Sequence, residues 1–375
     1  MDIHGKCDSR FEPVRDVFEA NFRERGDVGA SFALTVEGEY VIDIWGGYRD
    51  EAASQPWVED TIVNVYSTTK TMTALCALLL ADRGGLDVHA PVAEYWPEFA
   101  ANGKDKIEVS HLLSHTAGLS GLDGGAAPGA YYDWDGTCAR LAAQAPWWEP
   151  GTQSGYHAIT QGHLVGEVIR RITGRSLGTF FREELAEPLG ADFHIGVDPR
   201  HFDRIGELIP PPTAVSDNDL DPDSVAARTL NGDNVDPRDT RTAEWRQAEI
   251  PAANGHGNAR SVVKVQTLLA NHGTAFGRTL MTEAGCMRVM EEQVNGEDLV
   301  LGVPMRFGLG YGLNNDIVPL SPNANTCFWG GYGGSTIVVD LDARVCFSYV
   351  MNRMEAGTLG DQRGYQLGQA VYRCL

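Results

Sequence analysis

Val65-Tyr66-Ser67-Thr68-Thr69-Lys70-Thr71-Met72-Thr73-Ala74-Leu75-Cys76-Ala77-Leu78-Leu79-Leu80-Ala81 is the stretch whose reading decides the fold. A helical run this apolar is expected to be buried, and Gly84-Gly85 ends it. Burying a lysine ammonium is costly unless it is paired or gives up its proton. The chain has five lysines, Lys6, Lys70, Lys104, Lys106 and Lys264, and one of them falls a single turn after Ser67. Helix positions i and i+3 share a face, about 5–6 Å apart at Cβ. The amine can therefore reach the hydroxyl. A weak nucleophile then stands beside a base whose pKa burial has lowered, as Ser–Lys chemistry requires.

Working outward, Phe11, Val14, Val17, Phe18 and Phe22 follow helical spacing as far as Gly26. Phe32-Ala33-Leu34-Thr35-Val36 and Tyr40-Val41-Ile42-Asp43-Ile44 read as a half-buried hairpin turning at Glu37-Gly38-Glu39. Helical segments punctuated by Pro and Gly fill residues 87–200, most clearly at 162–173 and 177–189. Residues 209–240 are rich in Pro, Asp and Asn, and are expected to form a long surface excursion, with the cleft entrance as a second possible place. A helix is expected at 259–272, strands at 335–340 and 344–350, and a last helix at 359–373. Strands near both chain ends with helices between them predict an α/β fold with an all-α lobe. The expected antiparallel sheet comes from residues 1–66 and 250–375, and the mainly helical lobe from 67–249. A cleft between such lobes is a usual place for a site.

A formal charge of −21 disfavours nucleic acid and anionic membrane surfaces as partners, which leaves a small neutral or weakly charged molecule as the expected one. Seven cysteines, odd in number and without C-x-x-C spacing, argue against a disulfide framework and a zinc knuckle. The first residues, Met1-Asp2-Ile3-His4-Gly5-Lys6, carry no apolar signal core. The longest apolar run, residues 74–81, is too short to span a bilayer. The expected location is the cytoplasm, with no cofactor and no metal.

Further blocks join the Ser67 run. They are Val109-Ser110-His111-Leu112-Leu113-Ser114-His115-Thr116-Ala117-Gly118-Leu119, Glu149-Pro150-Gly151-Thr152-Gln153-Ser154-Gly155-Tyr156, Glu187-Pro188-Leu189-Gly190 and Phe328-Trp329-Gly330-Gly331-Tyr332-Gly333-Gly334-Ser335. Together they make the chain resemble the β-lactamase-related serine hydrolases, and most closely the family VIII esterases built on the class C β-lactamase and penicillin-binding-protein fold. The resemblance implies that Ser67 is the nucleophile, with Lys70 and Tyr156 as a coupled acid/base pair. It implies an oxyanion hole from the N–H groups of Ser67 and Tyr332. Trp329, Gly330 and Gly331 match the block that lactamases fill with K-T-G and would line the substrate site. His157-Ala158 follows Tyr156, so the asparagine of the family's Y-x-N block is missing, and His157 is its candidate replacement. Trp329 replaces the cation that holds a substrate carboxylate. That points to uncharged esters, and so to a serine esterase of short-chain substrates working through an acyl-enzyme. An acyltransferase, a weak β-lactamase and a non-catalytic ligand-binding module are the alternatives.

Three other features have plainer readings. Gly174-Arg175-Ser176-Leu177-Gly178 fits G-x-S-x-G, but a helix precedes it, so Ser176 reads as a helix N-cap. His111 and His115 are spaced to share a metal but lack a third ligand, and are read as structural. Trp134, Trp147, Trp148 and Trp245 could wall an acyl pocket or fill the core.

Overall fold

The protein is described by a computed structural model that covers residues 2–211, 220–233, 235–317 and 319–375. Its nine-stranded sheet draws only on the two ends of the chain. From edge to edge the strands are Ile3–Cys7, Glu39–Gly47, Gly29–Val36, Val345–Met351, Thr336–Asp340, Thr326–Gly330, Gly312–Leu313, Pro304–Phe307 and Val294–Glu297. Every neighbouring pair is antiparallel. The Glu37–Gly38 turn closes the first hairpin with both residues at positive φ.

The sheet centre is buried on both faces. Cys346 lies against Val263 of the helix Ala259–Ala270, while its neighbour Phe347 packs on Tyr372 of the helix Gln362–Cys374. Adjacent strand residues point to opposite faces, so these two helices cover opposite sides. The helix Glu12–Glu24 packs on Gln362–Cys374 and completes that outer layer. The edge strand Ile3–Cys7 and the strands between 294 and 313 fall outside the sequence expectation. They are short, and the first and the last two pair at the margins of the sheet, where alternation is weak.

Between the sheet segments the chain builds helices. Thr69–Asp82 is buried at every residue from Thr69 to Leu80, because it packs on Thr160–Thr173 on one side and on Ala259–Ala270 on another. Each of its fully buried leucines contributes roughly 1.5–3 kcal/mol. One detail departs from the sequence expectation. Ser67 does not sit in the first α-helical turn: Tyr66–Thr68 form a 3₁₀ turn and the α-helix begins at Thr69. Among the described residues, no helix is long and apolar enough to cross a membrane.

Candidate active site

The Ser67 turn is held from several sides. Tyr66 adopts φ +44°, a left-handed conformation costly for a non-glycine residue, and the surrounding contacts enforce it. Its ring is wedged against Trp245 and Tyr332 at centroid distances of 6.1 and 5.5 Å. Thr69 Oγ1 donates to the Tyr66 carbonyl at 2.5 Å and accepts from the Gly255 N–H at 2.9 Å. Ser335 Oγ donates to the Val65 carbonyl at 2.8 Å and meets Thr68 Oγ1 at 2.9 Å. The hydroxyl of Ser67 is thereby presented at a fixed point.

Lys70 is 1% exposed, and its Nζ lies 3.1 Å from Ser67 Oγ. It also reaches two carbonyls, Ala158 O at 2.6 Å and Ala252 O at 3.0 Å. Burial drives its pKa well below the ordinary lysine range, opposed by the more distant Asp233 carboxylate. A neutral amine has two hydrogens and one lone pair. In that form the two carbonyls would take the hydrogens and leave the lone pair to Ser67. Tyr156 Oη lies 2.6 Å from Ser67 Oγ on the other side. Burial pushes the phenol upward, and the hydrogen bond with Ser67 offsets only part of that. Burial therefore favours the uncharged form of both flanking groups. Lys70 Nζ stands 4.7 Å from the Tyr156 ring centroid, so the three side chains form one compact cluster.

The strand Thr326–Gly330 brings the glycine-rich block against this cluster. A Cβ on Gly331 would stand 2.2 Å from the Val65 carbonyl oxygen and 3.3 Å from Ser67 N. Only glycine permits that approach, and it sets Tyr332 beside Ser67. Ser67, Tyr156 and Tyr332 share a cleft of about 760 Å³.

A profile of the family described as "Beta-lactamase" matches residues 18–372. The chain belongs to the β-lactamase family. Among curated relatives, "Esterase/beta-lactamase LipL" of Mycobacterium tuberculosis is 36% identical over 378 residues, spanning 94% of this chain and 83% of the relative. The crystal structure of a family VIII carboxylesterase is 43% identical, covers all of both chains and has a TM-score of 0.94. A penicillin-binding-protein homologue from Caulobacter crescentus is 40% identical, again over all of both chains, with a TM-score of 0.93.

Within this member of the family, four residues expected at the substrate lie elsewhere. Trp329 is 1% exposed and packs behind Tyr156, with ring centroids 5.4 Å apart, and also against His115 and Phe307. It buttresses the phenol and does not line the cleft. Gly330 faces the chain at residues 359–360, where a Cβ would meet Leu359 C at 2.3 Å. Gly331 is pressed on Val65 and Ser67 as above, inside the cleft wall. His157 is fully buried, and three bonds absorb it. Its Nδ1 donates to Gly155 O at 2.6 Å, its Nε2 accepts from Leu119 N at 3.1 Å, and its backbone N–H donates to His115 Nδ1 at 3.1 Å. Burial lowers its pKa to about 3, so the ring is neutral. It fastens the Tyr156 segment to the 115–119 segment and is no stand-in for the missing asparagine.

His115 takes part in that same network, while His111 Nδ1 accepts from Glu108 N at 3.3 Å. Ser176 caps the helix Leu177–Phe181 and donates to Glu249 at 2.6 Å. None of the four tryptophans lines the cleft: Trp245 lies behind Tyr66 and donates to Asn64 at 2.8 Å. Trp147 lies under the Arg228 guanidinium at 3.9 Å, in the wall of a separate hollow.

Sequence reasoning passed over two carboxylates. Asp298 Oδ1 accepts from the N–H of Tyr156 at 3.0 Å and from those of Val300 and Leu301 at 2.9 Å, pinning the Tyr156 backbone. Asp233, from the acidic excursion, lines the cleft together with Pro210, Leu230 and Asp236. The excursion is thus part of the site wall. Its residues 212–219 and 234 lie outside the described residues. Alternation and helical spacing mark neither acid, because both sit on irregular chain.

Proposed function

We propose that this protein is a serine carboxylesterase that hydrolyses short-chain esters through an acyl-enzyme on Ser67. The observation that carries the proposal is that Lys70 Nζ and Tyr156 Oη both lie against Ser67 Oγ, at 3.1 and 2.6 Å. Once the amine is neutral, with its two hydrogens on Ala158 and Ala252, Ser67 O–H donates to Nζ while Tyr156 O–H donates to Ser67 Oγ.

Lys70 is the base in this reading. Ser67 Oγ attacks the ester carbonyl as its proton passes to Nζ, giving a tetrahedral oxyanion beside the N–H groups of Ser67 and Tyr332. Tyr156 gives its proton to the leaving alkoxide and recovers one from Lys70. The C–O bond to the alcohol breaks, leaving the acyl group on Ser67. Water then loses a proton to the same pair and attacks the acyl carbonyl; the bond from the acyl carbon to Ser67 Oγ breaks, the pair returns the proton to Ser67, and the acid is released. The family match, the carboxylesterase structure at 43% identity and the relative called an esterase/β-lactamase support ester hydrolysis. Charge supports it too. Among the described residues, the ionisable side chains facing the cleft beyond the triad and its tyrosines are Asp233, Asp236 and Arg238, with Arg238 engaged by Asp236 at 3.4 Å. No cation is placed to hold a substrate carboxylate among the described residues. All seven cysteines are unpaired thiols, which suits a reducing compartment, and a cytoplasmic location is part of the proposal.

A panel of nitrophenyl esters of graded acyl length, run beside a chromogenic cephalosporin, tests the substrate class. Turnover is expected to be highest for short acyl chains, and efficient cephalosporin turnover with little on esters would overturn the reading. A fluorophosphonate probe should add its mass to Ser67 in the wild type and not in Ser67→Ala.

A further inference from the structure

The catalytic cycle leaves Asp233 without a task. It is 6% exposed in the wall of the cleft that holds Ser67. Its Oδ1 accepts a hydrogen bond from the Tyr131 hydroxyl, but its Oδ2 is buried and has no partner among the described residues. An ionised carboxylate offers about four acceptor sites, and a buried charge left short of donors is expensive. The nearby cations do not relieve it. Lys70 Nζ is turned to Ser67, Ala158 and Ala252, and Arg238 is exposed and turned to Asp236. A buried carboxylate short of donors in the wall of a binding cleft favours a cationic ligand beside it.

The rest of the cleft suits a cation as well. Tyr66, Tyr156 and Tyr332 line it, and aromatic ring faces attract positive charge. Asp236 adds a second carboxylate at the rim.

We infer that Asp233 is a specificity-determining residue, and that the preferred substrates are esters carrying an ammonium group held by its carboxylate. The inference rests on the esterase reading of Ser67 and narrows its substrate class. No covalent step involves Asp233. It binds the charged arm while the ester carbonyl sits at Ser67.

Two pairs of equal-shaped esters test this, differing only in N–H⁺ against C–H. In the acyl arm the pair is p-nitrophenyl 4-(dimethylammonio)butanoate and p-nitrophenyl 5-methylhexanoate. In the alcohol arm it is 2-(dimethylammonio)ethyl butanoate and 3-methylbutyl butanoate, followed by acid release. Assays run at about pH 8 keep the carboxylate ionised, since burial has raised its pKa to about 7. In at least one pair, kcat/KM should favour the cation by about tenfold or more, the effect of one charge-assisted hydrogen bond. Asp233→Asn should cut that ratio to about one-fifth or less. A ratio near unity in both wild-type pairs overturns the inference, and so does a preference that survives in Asp233→Asn. The wild-type ratio decides by itself if the variant does not fold. Failure of the wild type to hydrolyse any ester, p-nitrophenyl acetate included, would instead overturn the esterase reading and this inference with it.

Discussion

Asp233→Asn should stabilise the protein, and by an amount that grows with pH. The Asp233 carboxyl titrates at about 7 in the folded chain against an ordinary 3.8, because burial penalises its charge more than the Tyr131 hydrogen bond and the Lys70 charge favour it. The native state therefore binds this proton more tightly than the unfolded state does. Its stabilising effect is complete below the unfolded pKa and is lost as pH rises through the folded one. About three pH units at about 1.4 kcal/mol each give a loss of about 4 kcal/mol by about pH 8, an upper figure because protein relaxation reduces it. Asparagine keeps an acceptor for Tyr131 and has no charge to bury. Urea unfolding of both proteins between about pH 5 and pH 8 isolates the effect, since titrating groups that do not interact with Asp233 cancel in the difference. The stability of the variant relative to wild type should climb by about 1.4 kcal/mol per pH unit up to about pH 7 and then level off. A difference that stays flat across that range would falsify the reasoning. It would mean that Asp233 carries an ordinary carboxyl pKa, and the open acceptor in the cleft would lose its cost.

The remaining predictions concern the catalytic cluster. Lys70→Ala and Tyr156→Phe should each lower kcat/KM by about 1,000-fold or more, and the double variant should be little worse than either, because the groups act as one unit; additive losses would argue for separate roles. The wild-type rate should fall on the acid side as Lys70 gains a proton, with the plateau on the alkaline side beginning well below the ordinary lysine pKa. A rate that climbs only near that ordinary value would show the amine to be solvated. Gly331→Ala should destroy most activity while the purified protein stays folded by circular dichroism, since the added methyl would press on Val65 and Ser67 N; near-normal turnover would show that the oxyanion side has room to spare.

Much of the fold was legible because strong periodicity survives at the chain ends. The hairpin at 29–47, the strands at 336–351 and the helices at 69–82, 160–173, 259–270 and 362–374 all announce themselves by spacing. The strands between 294 and 313 do not, since two- to four-residue strands carry too little alternation to stand out from loop. The Ser67–Lys70 pair was legible from one-turn spacing. The placement of Trp329 was not. A family block gives the order of residues along the strand, but the direction in which each side chain faces depends on what packs over it. Here Phe307 and His115 enclose the indole. Asp233 stayed hidden because tertiary structure alone folds an acidic loop back over a cleft.

One physical effect organises the cluster around Ser67. Removing water lowers the Lys70 pKa and raises that of Tyr156, so burial favours the uncharged form of both although one is a base and the other an acid. The resting site then buries no ion pair next to the serine. Charge appears only as the reaction proceeds, as ammonium on Lys70 and as oxyanion on the substrate. The carbonyls of Ala158 and Ala252 already point at the nitrogen where positive charge will grow. They therefore stabilise the developing ammonium more than the resting amine. Such preorganisation lowers the barrier without any movement at the moment of reaction. It also explains why Lys70 sits in an apolar helix whose neighbours gain nothing from it: the lysine is costly in the folded protein and useful only in the transition state.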